Sequence, residues 1–158
     1  MSVELITRFY EAFQRRDAAG MGGCYTPDIR FSDPVFVDLH GDRARGMWTM
    51  LCARGKDLRL EFSRVTADGA TGSAHWEAWY TFSATGRQVH NVIEAQFTFR
   101  DGLIATHTDR FDLHAWARQA LGLKGALLGW TPFVQNAIRR QAQQGLARYL
   151  SGAAQGGH

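Results

Sequence analysis

Apolar positions recur every three or four residues at the start of the chain and every second residue through its middle. Over residues 3–17, Leu5, Phe9 and Phe13 fall four apart with Ile6 and Tyr10 beside them. That spacing predicts an amphipathic helix, closed by Asp17 and Gly20. A short helix through Met21, Cys24 and Tyr25 should follow, and Thr26-Pro27-Asp28 reads as a turn. Residues 29–33 read as a short extended run, because a residue before proline is pushed away from helical geometry and Asp33 precedes Pro34. A further helix is expected from Gly41 to Arg54, with Met47, Trp48 and Leu51 as its apolar stripe. From Leu58 the period is two: Leu58, Leu60 and Phe62 alternate with Arg59, Glu61 and Ser63. Residues 70–83 predict a long strand, with Trp76, Ala78, Tyr80 and Phe82 on one face and His75, Glu77 and Trp79 on the other. Residues 87–100 and 103–112 predict two more strands, joined at Asp101-Gly102, a strong hairpin signal.

Long strands with short connections form an antiparallel meander, and helices precede and follow it, so the class is α+β. Such a sheet, strongly curved, would wrap the N-terminal helices and leave an opening between helix and sheet. Beyond it, residues 113–122 read as a short helix and "LKGALLGW" as a glycine-broken apolar stretch. Thr131-Pro132 is a helix start, with threonine as cap and proline in the first turn. Val134, Ile138, Ala142, Leu146 and Leu150 then share one face, which is expected to lie on the domain or on a partner subunit.

Composition narrows the function classes. The chain has 158 residues, 45% of them hydrophobic and 21% charged, which suits one domain with a sizeable core. The net charge of +3 comes from the last 28 residues, which hold Arg139, Arg140 and Arg148 and no acid. Three arginines on a tail are a poor electrostatic footprint, so neither a nucleic-acid partner nor a membrane surface is expected. Cys24 and Cys52 sit in apolar surroundings as small core residues, in keeping with a cytoplasmic protein. The glycines form neither a phosphate-cradling loop nor a dinucleotide fingerprint, so no cofactor is expected. No metal site is expected either, since the chain carries no helical His pair of the kind that holds zinc.

Three stretches resemble the SnoaL-like group of the NTF2-like superfamily: "FYEAFQRRDAAGMGGCYTPDIRFSDP" (residues 9–34), "FTFRDGLIATHTDRFD" (residues 97–112) and "WARQALG" (residues 116–122). The resemblance implies a cone: a curved antiparallel sheet wrapped around N-terminal helices, a deep apolar pocket and a homodimer. On that basis residues 1–122 would be the SnoaL-like domain, residues 123–150 a helical extension of it, and residues 151–158 a flexible tail. The same resemblance assigns roles to particular positions. Asp33 matches the general base of steroid delta-isomerases. Phe9 and Ala95 stand where those enzymes keep their two oxyanion donors, so that mechanism is not expected here. Asp109 matches the acid/base aspartate of SnoaL-type polyketide cyclases, two residues after His107.

His107, Asp109 and Phe111 alternate onto one face of the last strand. If that face is concave, a histidine and a carboxylate line the opening together. Asp33 has two readings: a turn cap or partner of an arginine such as Arg110, or a buried acid/base with a raised pKa. The expected catalytic set is therefore Asp109, Asp33 and His107, with Tyr10, Trp48, Trp76, Tyr80, Phe111 and Trp116 shaping the site. The expected function is a small-molecule pocket protein, an isomerase, cyclase or dehydratase working by proton transfer on an apolar carbonyl compound. The alternative is a non-catalytic ligand-binding or dimerising protein.

Overall fold

The computed structural model describes residues 2–156, with side chains as far as residue 152. Helix α1 (Ser2–Gln14) is followed by the single turn α2 (Ala18–Gly22), strand β1 (Tyr25–Ser32), the two-residue β2 (Leu39–His40) and α3 (Asp42–Arg54). Four long strands come next: β3 (Arg59–Ala67), β4 (Thr71–Phe82), β5 (Arg87–Arg100) and β6 (Leu103–Arg110). Three helices close the chain, α4 (Leu113–Leu121), α5 (Leu123–Leu128) and α6 (Pro132–Gly156). The class is α+β, with a curved sheet around the N-terminal helices and additional helices after it. No helix among the described residues is long and apolar enough to cross a membrane.

The six strands form one sheet in the order β2-β1-β6-β5-β4-β3. The run β3 to β6 is the predicted antiparallel meander. Asp101 and Gly102 both take positive φ in the β5–β6 turn, as a tight hairpin requires. Two features depart from the sequence expectation. Strand β1 joins β6 in parallel, so the sheet is mixed. The predicted turn at Thr26-Pro27-Asp28 lies inside β1, where the register with β6 shifts between Tyr25 and Arg30. A proline cannot donate to a ladder, and a bulge is where a strand tolerates one. The carbonyls of Tyr25, Thr26 and Pro27 are taken up by the Arg45 guanidinium instead.

The core lies between α1 and the concave face of the sheet. Leu5, Ile6, Phe9, Tyr10 and Phe13 of α1 are all buried, each contributing about 1.5–3 kcal/mol by removal from water. Tyr10 stacks on Phe62, and Phe13 meets Trp76 and Trp48 edge-on. Cys24 and Cys52 are free and buried. Helix α4 is sewn to the β4–β5 end of the sheet: Thr85 Oγ1 donates to the Ala120 carbonyl, and the His90 N–H to Gln119 Oε1.

Thr131 caps α6 by accepting the Val134 N–H. The helix runs back across α3, where a Cβ on Gly46 would meet the end of Leu150 at 2.4 Å. Glycine at that position lets the two helices approach closely. Arg139 reaches from α6 to donate to the Pro34 carbonyl. The helix continues past residue 151, where a flexible tail was expected, and residues 157–158 lie outside the described residues.

Candidate functional site

The inner face of the sheet, α3 and α6 enclose a cavity of about 1000 Å³. Its wall carries Trp48 from α3, Trp76 and Tyr80 from β4, Asp109 from β6, and Phe111 and Trp116 just beyond. Val134, Ile138 and Ala142 bring the apolar face of α6 to the same space. Trp130 stands outside it, 63% exposed.

Alternation along β6 turns His107 and Asp109 inward, and both are buried. His107 Nε2 lies 2.8 Å from Asp109 Oδ1, and Nδ1 lies 2.8 Å from the Tyr25 hydroxyl. The Trp48 indole N–H donates to that same hydroxyl oxygen at 2.9 Å. An indole donates only, so the Tyr25 O–H must point at Nδ1, and Nε2 must carry the proton given to Asp109. The chain of donors thus fixes the tautomer: Trp48 to Tyr25, Tyr25 to His107, His107 to Asp109. A second imidazole proton, on Nδ1, would leave the Tyr25 hydroxyl hydrogen with no acceptor, a buried loss of about 1–3 kcal/mol. The surroundings agree. Trp48 stacks parallel to the imidazole, and Phe9, Phe31 and Phe97 close around it.

Asp109 Oδ1 also accepts from the Trp76 indole at 3.4 Å. Both bonds land on one oxygen, which leaves Oδ2 to the cavity. Asp33 is brought beside it by the parallel pairing: Ser32 pairs with Thr108, and the next residue along β1 is level with Asp109. Asp33 Oδ1 accepts the N–H groups of Val35 and Phe36 at 2.7 and 2.6 Å, closing a turn over Pro34. Burial raises its pKa to about 7, and the charge of Asp109 adds to the rise against the lowering effect of the two N–H bonds. Asp33 is partly buried and lines the cavity. The two readings of Asp33 are therefore not exclusive, since one oxygen caps a turn while the group is held near neutrality. Arg110 is not its partner, because the alternation of β6 puts that side chain on the exposed face.

Other sequence candidates fall differently. Tyr10 is off the cavity wall, fully buried behind it, with a hydroxyl that has no hydrogen-bond partner among the described residues. His107 is also behind the wall and reaches the cavity only through Asp109. Two residues were missed. Tyr25, which orients His107, is 82 positions away in sequence, and no local pattern announces the pair. Asn91 is 8% exposed on the inner face of β5 and lines the cavity. Its signal was legible: a polar residue between Val89 and Ile93 on an otherwise apolar face.

Residues 6–107 match the family model of the SnoaL-like domain. The chain belongs to the SnoaL-like family. The SnoaL-like match stops two residues before Asp109. No functionally curated protein matches the sequence. Solved structures share the fold at low identity. An NTF2-like protein of unknown function from Burkholderia pseudomallei is 22% identical, over 73% of this chain and 94% of that one, with a TM-score of 0.64. An epoxide hydrolase of the LEH-like type from M. tuberculosis is 20% identical over 80% and 95%, with a TM-score of 0.62. A putative polyketide cyclase from Xanthomonas campestris is 24% identical over 73% and 93%, with a TM-score of 0.60. Proteins with differently named activities thus share this fold, and the fold alone does not assign one to this chain.

Proposed function

We propose that this chain is an acid/base enzyme, an isomerase, cyclase or dehydratase that moves a proton on an apolar, carbonyl-bearing small molecule using its own side chains. The observation that carries the reading is the pair of carboxylates at one end of the cavity, held in different environments. Asp109 accepts the N–H groups of His107 and Trp76 on one oxygen and turns the other to the cavity. Asp33 has its pKa raised to about 7 and keeps a proton where ordinary carboxylates have lost theirs. A carboxyl that keeps its proton beside a second carboxylate can serve as the acid to that neighbour's base.

In this reading Asp109 Oδ2 takes a proton from the carbon next to a carbonyl, and the C–H electron pair moves toward the carbonyl oxygen. Asp33 delivers its own proton to the resulting enolate. Solvent exchange at the cavity then returns Asp109 to the base form and Asp33 to the acid form. His107 never touches the ligand; it positions Asp109. The homodimer implied by the family resemblance is part of the proposal, and a monomeric mass in light scattering would remove that part.

The test is hydrogen–deuterium exchange at the α-carbon of a panel of apolar ketones, followed by NMR. Exchange that rises and falls with pH, and is abolished in Asp109→Asn, supports the reading. Exchange unchanged in Asp109→Asn overturns it. The second reading, ligand binding without turnover, draws on Phe9 and Ala95, both fully buried where the steroid-isomerase match would place hydrogen-bond donors. Ketone binding without any α-exchange would select it.

A further inference from the structure

The carboxylates occupy one end of the cavity, and two other polar groups face the same space from the far part of the inner wall. Asn91 is 8% exposed and lines the cavity, and among the described residues its side-chain amide has no hydrogen-bond partner. Among the described residues the buried side-chain atoms without a partner belong to Tyr10 and Thr26, so the Asn91 amide is not sealed off and stays open to whatever enters the cavity. Tyr80 also lines the cavity, and its hydroxyl oxygen accepts the Trp116 indole N–H at 2.7 Å. The indole can only donate, so it fixes the phenol oxygen and leaves the O–H hydrogen unassigned. Both donors stand on the cavity wall, and neither has an acceptor among the described residues.

They are neighbours. Tyr80 pairs with Val89, and Asn91 pairs with Ala78, so the two residues are diagonal partners on adjacent antiparallel strands. Such positions have side-chain roots about 7–8 Å apart, within common reach of one atom for a tyrosine and an asparagine. Asp33 and Asp109 line the same cavity as the donor pair, so one ligand filling it can meet both.

We propose that Tyr80 and Asn91, with Trp116 holding Tyr80 in place, form an oxygen-binding subsite that takes the carbonyl of an aromatic or alicyclic ketone. The subsite lies on the β4–β5 part of the wall, away from the positions of Phe9 and Ala95. It deepens the acid/base reading by supplying donors to the oxygen on which charge develops, and it rests on that reading only for its catalytic consequence. Binding itself requires no turnover.

The experiment compares two probes of one shape, acetylnaphthalene and ethylnaphthalene, by calorimetry and tryptophan fluorescence quenching. The wild-type protein is expected to prefer the ketone by about five- to tenfold, the usual worth of one or two neutral hydrogen bonds. Tyr80→Phe and Asn91→Leu should each remove most of that preference and leave ethylnaphthalene binding unchanged, which also shows that the variants fold. The infrared carbonyl stretch of isotope-labelled acetylnaphthalene should shift to lower frequency in the wild-type complex and return toward its value in hydrocarbon solvent in Tyr80→Phe. Equal affinity of the wild type for both probes overturns the subsite, as does a preference that survives both substitutions. Neither of those results touches the roles of Asp109 and Asp33, which α-exchange tests separately.

Discussion

Two histidine–carboxylate pairs, His75-Trp76-Glu77 on β4 and His107-Thr108-Asp109 on β6, share one sequence spacing and one sheet and lie on its opposite faces. On the outer face, His75 Nε2 meets Glu77 at 3.1 Å, Nδ1 meets Glu94, and His90 meets Glu77 at 2.8 Å. That cluster is reached by solvent, and Arg64 stands against Glu94 at 3.5 Å. Its carboxylates keep a lowered pKa at Glu77, and His75 has a raised one, chiefly through its bond to Glu94. On the inner face His107 is buried, caged by aromatic rings and held by Tyr25, and its partner Asp109 borders the cavity. The spacing decides only that histidine and acid share a face. Which face they share decides whether the pair is a solvated ion cluster or a buried, oriented pair at the cavity wall.

The largest expected difference is in turnover. Asp109→Asn should lower the rate of ketone α-exchange by roughly 10²–10⁴-fold, the usual range for a lost general base. Glu77→Gln, its outer-face counterpart, should leave that rate unchanged, and a parallel loss in both would erase the contrast.

Stability separates the faces next. Tyr25→Phe strands the Trp48 N–H and the His107 Nδ1 lone pair in the core, at a cost of about 2–5 kcal/mol in urea unfolding. His75→Gln should cost less than about 1 kcal/mol, since its partners are exposed and screened.

A sharper test uses pH. The folded-state pKa of Asp33 is about 7, well above the 3.8 of the free side chain. Between these values the unfolded chain gives up the Asp33 proton while the native protein keeps it. Stability therefore falls as pH rises from about 4 to 7 and is level above. Asp33→Asn removes that fall while keeping an oxygen for the Val35 and Phe36 N–H groups. The variant should be more stable than wild type at pH 8, by as much as about 3 kcal/mol, and equal to it near pH 4. A gain that is the same at both pH values would disprove the raised pKa.

The smallest effect belongs to the outer face. His75 is raised above its ordinary value by Glu94 and Glu77, so its stabilisation is present below pH 6.5 and is lost as pH rises through the folded-state value. The change in melting temperature should be slight and should vanish in high salt. Persistence in salt would mean that the cluster is drier than its exposure indicates.

Local pattern made much of this legible. Period-two alternation located the four long strands and put His107, Asp109 and Phe111 on a common face, and Thr131-Pro132 marked the start of α6. Long-range pairing was not legible. The parallel placement of β1 beside β6 brings Asp33 level with Asp109, and nothing within either segment encodes it. The bulge that carries Pro27 inside a strand depends on Arg45, eighteen residues on, taking up the carbonyls. Asn91 was visible as an oddity on an apolar face, but its lack of a partner is a property of the folded neighbourhood. Tyr10 misled because its place on α1 faces the core rather than the cavity.

The donor chain behind Asp109 also sets the direction of proton traffic. It begins at Trp48, an indole that can give a hydrogen bond and never take one, and every link after it points toward the carboxylate. A proton that arrives on Asp109 finds no onward route into the protein. Among the described residues the network ends blind at Trp48 and opens at Asp109 on the cavity, so a ligand lying there would be the partner for any proton that carboxylate carries.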